Sequence, residues 1–125
     1  MAAITPITAE LIARLAAIAG QIGGTVLSNR KGQVEKDRDE FYKRAKKYHA
    51  RLREMVENKD KNPRKLADDL ARDDLFCFVA GNENVEEISN ALKFAEGARR
   101  RDRAVVLRAI IRVLERVTAT SLQKD

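Results

Sequence analysis

At 125 residues the chain has room for one domain with a single buried core, and a second independent domain is not expected. Charged residues make up 35% of it and the formal net charge is +6, which favours an anionic partner over small-metabolite chemistry. The single cysteine excludes an internal disulfide, and the charge alone does not choose between RNA, DNA and a membrane surface.

Thr5 ahead of Pro6, or Thr8 three residues later, can cap a first helix that reaches about Leu27. Its seam, Leu11, Leu15, Ile18 and Ile22, alternates steps of four and three, the mark of one narrow buried edge. Ala16, Gly20 and Gly24 share one side, and Ala19 and Gly23 another, so close approach of a neighbouring helix backbone is expected along this small-residue face. The apolar window from Leu11 to Leu27 is interrupted by Arg14, Gln21 and three glycines, and no positively charged leader precedes it. The expectation is a soluble cytoplasmic chain without a membrane partner.

Asn29-Arg30-Lys31-Gly32 reads as a short basic turn. The run from Gln33 to Asn58 that follows contains no Gly or Pro, and Phe41, Ala45, Tyr48, Leu52 and Met55 form its seam. Its acids, Glu35, Asp37, Asp39 and Glu40, come first; between Lys43 and Arg53 every charge is positive, at Lys43, Arg44, Lys46, Lys47, Arg51 and Arg53. A helix dipole favours this polarity, and the pairs Asp39 with Lys43 and Glu40 with Arg44 neutralise part of it. A solvated face and a face turned to nucleic acid account for these residues equally well. His49, the only histidine, has no patterned partner and is not expected to serve as a base or a metal ligand.

Asn62 before Pro63 signals a third helix, with Leu66, Leu70 and Cys77, beside Ala67, Ala71, Leu75 and Phe78, as its buried side. Asp68, Asp69, Asp73 and Asp74 are then left outside; without a calcium-loop glycine pattern or histidines they are expected to form a solvated acidic face. Cys77, within LFCFV, is expected to be a buried thiol. Gly81 ends the helix in the left-handed conformation, and Asn84 with Glu87 makes a capping-box-like start for a short fourth helix with the seam Val85, Ile88, Leu92 and Ala95, stopped by Gly97.

Arg99-Arg100-Arg101-Asp102-Arg103 precedes a final helix from about Asp102 to Ala119, which buries Val106, Ile110, Val113 and Val117 beside Leu107, Ile111 and Leu114. Here positive charge sits near a helix N-terminus, where the dipole disfavours it, so this cluster carries more functional weight than Lys43 to Arg53. Arg101, Arg108, Arg112 and Arg116 continue it as a stripe broken only by Glu115, and the planar guanidinium grips phosphate through two hydrogen bonds. The tail from Ser121 to Asp125 is polar and expected to fray.

These segments predict an all-α fold, a compact bundle of about five helices. The chain contains no Gly-rich phosphate loop, no Cys/His cluster and no nucleophile motif, so neither an enzyme nor a cofactor or metal is expected. Aromatics are 5% with no Trp, too few to stack successive bases, which directs a nucleic-acid reading to the phosphate backbone.

From Pro63 onward the order is a helix ending in Phe78-Val79-Ala80-Gly81-Asn82-Glu83-Asn84, a short helix from Val85, and a closing helix. Across residues 63 to 119 this resembles the C-terminal half of the small α-helical subunit of multi-subunit CRISPR effector complexes, particularly the type III kind, where an aromatic residue two before a small residue and glycine precedes a charged turn. Asn82 stands where that pattern has an arginine, and the closing helix has Val, Ile and Leu where it has aromatics. The resemblance implies a subunit of an antiviral defence complex that stacks with other subunits or copies of itself. It also implies basic faces along the guide and target strands, with RNA favoured over DNA.

Two readings result. In the first, the chain is a non-catalytic nucleic-acid-binding subunit, indifferent to base sequence because its contacts fall on phosphates, through Lys43, Lys46, Lys47, Arg51, Arg53, Arg99, Arg100, Arg101, Arg108 and Arg112. In the second, it is a helical assembly protein, such as a virion or homo-oligomer component, whose heptad-like seams at Leu11 to Ile22 and Phe41 to Met55 are completed by another copy.

Overall fold

Pro6 and Pro63 each stand at the first position of a helix, where a missing N–H costs nothing, and each follows a side-chain cap. Thr5 Oγ1 accepts from the Thr8 N–H at 3.2 Å, and Asn62 Oδ1 from the Arg64 N–H at 2.8 Å. The computed structural model describes residues 5–122. Among these it has six helices and no strand: α1 (Pro6–Arg30), α2 (Glu35–Glu57), α3 (Pro63–Arg72), α4 (Asp74–Ala80), α5 (Asn82–Gly97) and α6 (Arg100–Ser121). The all-α expectation holds, and the sixth helix arises because the segment from Pro63 to Gly81 is two helices.

Asp73 makes that break. Its carboxylate is buried and turned inward, where Oδ1 accepts from the Phe76 N–H at 2.9 Å and so caps α4, and also from Arg44 Nη1 at 2.6 Å. Oδ2 accepts from the Tyr48 hydroxyl. The expectation of four outward aspartates therefore fails at Asp73, while Asp68 and Asp69 are half-buried and Asp74 is exposed. The break also resets which side of the chain faces inward. Phe76, Val79 and Ala80 enter the core, Phe76 stacking on Phe41 at 5.3 Å between ring centres, whereas Ala71 and Phe78, expected inside, are exposed. Cys77 is only half-buried, with its thiol donating to the Leu70 carbonyl at 3.3 Å.

Gly81 turns the chain from α4 into α5 at φ +96°, and a Cβ there would lie 3.1 Å from Asn84 Nδ2 and 3.2 Å from Thr25 Cγ2. Both backbone angle and space therefore call for glycine. α5 begins at Asn82, three residues before the expected start, and runs for 16 residues. The Asn84–Glu87 capping box does not form, because Asn84 lies inside the helix and donates back to the Ala80 carbonyl at 2.8 Å.

The seams of α1 and α2 are both consumed by the chain's own core: Leu15, Ile18 and Ile22 from one, and Phe41, Ala45, Tyr48, Leu52 and Met55 from the other, are buried with Val106, Leu107, Ile110, Val113, Leu114 and Val117 of α6. The α1–α6 contact is the most extensive in the fold. These helices run parallel: the Thr8 hydroxyl donates to Asp102 Oδ2 at 3.0 Å near their starts, and Arg30 Nη1 to the Ser121 carbonyl at 2.6 Å at their ends. Close approach occurs at Gly23, where a Cβ would meet Arg116 Nε at 3.0 Å, while the space over Gly20 and Gly24 is open. The small-residue face named from sequence is thus split, and its Ala16, Gly20 and Gly24 side has no neighbour among the described residues. α1 continues three residues past Leu27, so Arg30 is helical and buried and the turn shrinks to Lys31 and Gly32. By length and composition alone α1 is apolar enough to cross a membrane, although its seam lies in this core. Residues 123–125 of the tail expected to fray lie outside the described residues.

Candidate nucleic-acid interface

With 3.6 residues per turn, the contacts of α2 fix which side meets which neighbour. Arg44 reaches Asp73 at 2.6 Å and Arg51 reaches Asp69 at 2.8 Å, so that edge faces α3 and the start of α4. His49 Nε2, 3.8 Å from Glu115 Oε1, marks the edge facing α6. Lys43, Lys46 and Arg53 are exposed on the arc between these edges, and Lys47 sits beside the first.

Along the α2–α3 edge lie two adjoining cavities that share Lys47. One, of about 410 Å³, is lined by Lys47, Arg51, Glu54, Met55, Lys61, Asn62, Lys65 and Asp69; the other, of about 300 Å³, by Glu40, Lys43, Arg44, Lys47, Tyr48 and Asp73. The acids of this cleft are all engaged: Glu40 accepts from Arg44 at 3.0 Å, Asp73 from Arg44 and Tyr48, Asp69 pairs with Arg51, and Glu54 lies 3.3 Å from Lys61. Lys43, Lys47 and Lys65 have no carboxylate partner among the described residues. The cleft is therefore cationic because its acids are already paired with arginines and Lys61, leaving lysines over.

The electrostatics of the buried network follow from its packing. Burial, reinforced by the hydrogen bond to Asp73, holds the Tyr48 phenol above its ordinary 10.0. The bond to Glu40, and after it the one to Asp73, keeps Arg44 protonated still further into alkali. Partial burial, with Asp73 and Asp74 nearby, pushes the Cys77 thiol up, away from the thiolate that reactive cysteines need.

The structure separates the ten predicted phosphate contacts into three groups. Lys43, Lys47 and Arg51 line the cleft, and Arg51 is committed to Asp69. Lys46 and Arg53 lie on the outer arc of α2, Lys46 with its ammonium 5.4 Å from the centre of the Tyr42 ring. Arg99, at the cap position, and Arg100 and Arg101 are exposed at the start of α6, and Arg108 and Arg112 are exposed farther along it. No side chain caps that helix start, so the positive cluster does sit on the positive end of the α6 dipole.

Sequence reasoning missed three residues here. Arg103 does not project with its neighbours: it is half-buried and donates to the Met55 carbonyl and the Lys61 carbonyl, each at 3.2 Å, which brings the start of α6 to the Lys61 end of the cleft. Lys61 and Lys65 flank the Asn62-Pro63 helix start, Lys61 just before the cap and Lys65 on the first turn of α3, and that signal would have placed them close together. Arg108 and Arg112 are not part of the cleft, since α6 meets α2 on the opposite edge from α3.

No family model matches the chain, and neither a curated protein nor a solved structure is similar to it.

Proposed function

We propose that the chain is a non-catalytic subunit of a nucleoprotein complex that holds nucleic acid, RNA in preference to DNA, by its phosphate backbone. The observation that carries this reading is the start of α6, where Arg99 and Arg100 are exposed without an acidic partner among the described residues, at a helix end that repels cations. Local structure gives no reason for that charge, and a polyanion does. Exposed Lys43, Lys46, Lys47 and Arg53 on α2, with Arg108 and Arg112 on α6, extend the basic surface. Contacts to phosphate carry no base code, so binding is indifferent to sequence. The resemblance across residues 63 to 119 favours a place in a multi-subunit assembly.

The test is fluorescence anisotropy with two unrelated labelled strands over a range of salt. Both are expected to bind alike, with log affinity falling linearly with log salt. Reversing Arg99, Arg100, Arg101, Arg108 and Arg112 together is expected to weaken both equally while the circular dichroism spectrum is unchanged. Wild-type protein that binds neither strand at low salt would sink the reading.

One observation favours the assembly reading. The α1 and α2 seams that suggested it are filled by the chain's own core, but Ala13, Ala16, Ala17, Gly20 and Gly24 are exposed on α1 with no charge among them. Light scattering across a range of concentrations distinguishes this case, in which mass rises with concentration in the absence of nucleic acid.

A further inference from the structure

We infer that the cleft between α2 and α3 is a track for a single strand of RNA, with Lys43, Lys47 and Lys65 holding its backbone phosphates. This rests on the nucleic-acid reading and adds a path and a strand type to it. Three features of the cleft argue for it. The first is continuity: the two cavities share Lys47, so the concave surface extends along α2 from Lys43 to Met55 and on to Lys61 in the turn before α3. The second is the division of labour among its charges. Arg44 and Arg51 tie α2 to Asp73 and Asp69 across the cleft and set its width, while the three lysines are left with uncommitted ammonium groups. Lysine makes a mobile point-charge contact suited to phosphates whose exact position varies.

The third feature is shape. Lys43 and Lys47 are one helical turn apart, about 6 Å along the axis at roughly 1.5 Å per residue, a step on the scale of neighbouring phosphates in an extended strand. A duplex presents its phosphates on a wide convex cylinder and cannot lower them into recesses of about 410 Å³ and 300 Å³, whereas one strand can lie along them. The cleft ends at Lys61, whose carbonyl accepts from Arg103, so a strand leaving it arrives at Arg99 and Arg100. The floor, Tyr48 and Met55, is buried and offers no row of donors and acceptors for reading base edges.

The experiment measures anisotropy of the full chain with a labelled mixed-sequence single-stranded RNA and with the duplex of the same sequence, at several salt concentrations. Wild type is expected to bind the single strand more tightly than the duplex. The triple variant Lys43→Ala, Lys47→Ala, Lys65→Ala is expected to lose about tenfold or more in single-strand affinity at low salt, and its salt slope to flatten by about 2, roughly 0.7 per lost contact. Lys31→Ala with Lys93→Ala, exposed cations that line neither cavity of the cleft, is expected to change single-strand affinity by about threefold at most, and Lys→Arg at the three cleft positions to retain binding. Circular dichroism checks that the triple variant folds; should it not, the single variants K43Q, K47Q and K65Q are each expected to take about 0.7 from the slope. Wild type that prefers the duplex, or a triple variant that binds like wild type, overturns the track and leaves the nucleic-acid reading standing. Wild type that binds neither form overturns both.

Discussion

α1 and α2 are near equals in length, 25 and 23 residues, and both lie against α6 by a narrow seam, yet their outward faces are chemically opposite. α1 carries three charged residues, Glu10, Arg14 and Arg30, the first two paired with each other at 3.1 Å, whereas α2 carries fourteen. Packing is thus decided by the seam, at Leu15 and Ile22 in one and Leu52 and Met55 in the other, and the rest of each helix is free to answer to something else. Each helix is also tied down by one buried aspartate contributed by another part of the chain. Asp102 of α6 accepts from Thr5 and Thr8 of α1, and Asp73 accepts from Arg44 and Tyr48 of α2. The ties differ in strength as the faces do: α1 is held by two neutral hydroxyls, α2 by a guanidinium and a phenol.

The comparison breaks most sharply at the seams. Leu15→Ala and Leu52→Ala are both expected to cost about 2–5 kcal/mol in urea denaturation, since both side chains are fully buried. A small loss at either one would mean that this helix finds its burial on a partner and not in its own chain.

The two aspartate ties give the next largest effect. Asp73→Ala is expected to cost about 3 kcal/mol, because it uncaps α4 and strands a buried phenol and an arginine. Asp102→Ala is expected to cost about 1–2 kcal/mol, the loss of bonds to neutral partners. Tyr48 adds a pH signature to the first tie. Its folded-state pKa is raised above 10.0, so its contribution to stability is complete below that pH and is lost as pH rises through the folded value. Wild type is therefore expected to weaken more than Tyr48→Phe between about pH 8 and about pH 11 in the same denaturation experiment. Parallel losses in the two proteins would mean that the phenol is not held in its neutral form.

The smallest effects sharpen the contrast of outer faces. Gly20→Ala and Gly24→Ala meet no atom within 4 Å and are each expected to raise stability by about 0.5–1 kcal/mol. At Gly23 the same change presses on Arg116 and Thr120 and is expected to forfeit that gain. If Gly20→Ala or Gly24→Ala changes the mass seen by light scattering, the uncharged face of α1 is a contact surface; if only stability moves, it is a solvated one.

How far the sequence foretells this arrangement depends on the kind of signal. Seams repeat over several turns, so each residue corroborates the next: every member of the Phe41 to Met55 series is buried, as are Leu15, Ile18 and Ile22. Single-residue events have no such redundancy. Periodicity assigns Asp73 to a solvated face because it carries a helix straight through it, although an aspartate three residues before Phe76 is also a cap signature, and its partners Arg44 and Tyr48 lie far away in the chain. The same continuation places Phe78 and Cys77 inside, whereas Phe78 is exposed and Cys77 half-buried. For the basic residues the sequence shows type and not grouping. That Lys43 and Lys47 share a cleft with Lys65, apart from Arg108 and Arg112, depends on how α2 packs between α3 and α6.

The parallel contact between α1 and α6 has a consequence for how the chain is made. Among the described helices α1 is made before all the others and α6 after them, so α1 leaves the ribosome well before its most extensive partner exists. About 70 residues separate the end of one from the start of the other, which at roughly 5–20 residues per second is several seconds of translation. During that interval the α1 seam, with Leu15, Ile18 and Ile22, lacks the most extensive of its contacts, and the nascent helix is exposed to chaperones or to other nascent chains. Non-local closure of this kind also slows folding, because the loop entropy of the intervening chain is lost before the α1–α6 contact can form. α6 packs against both α1 and α2, and a chain truncated before Arg100 would leave those two helices joined by the smaller contacts that each makes with α4.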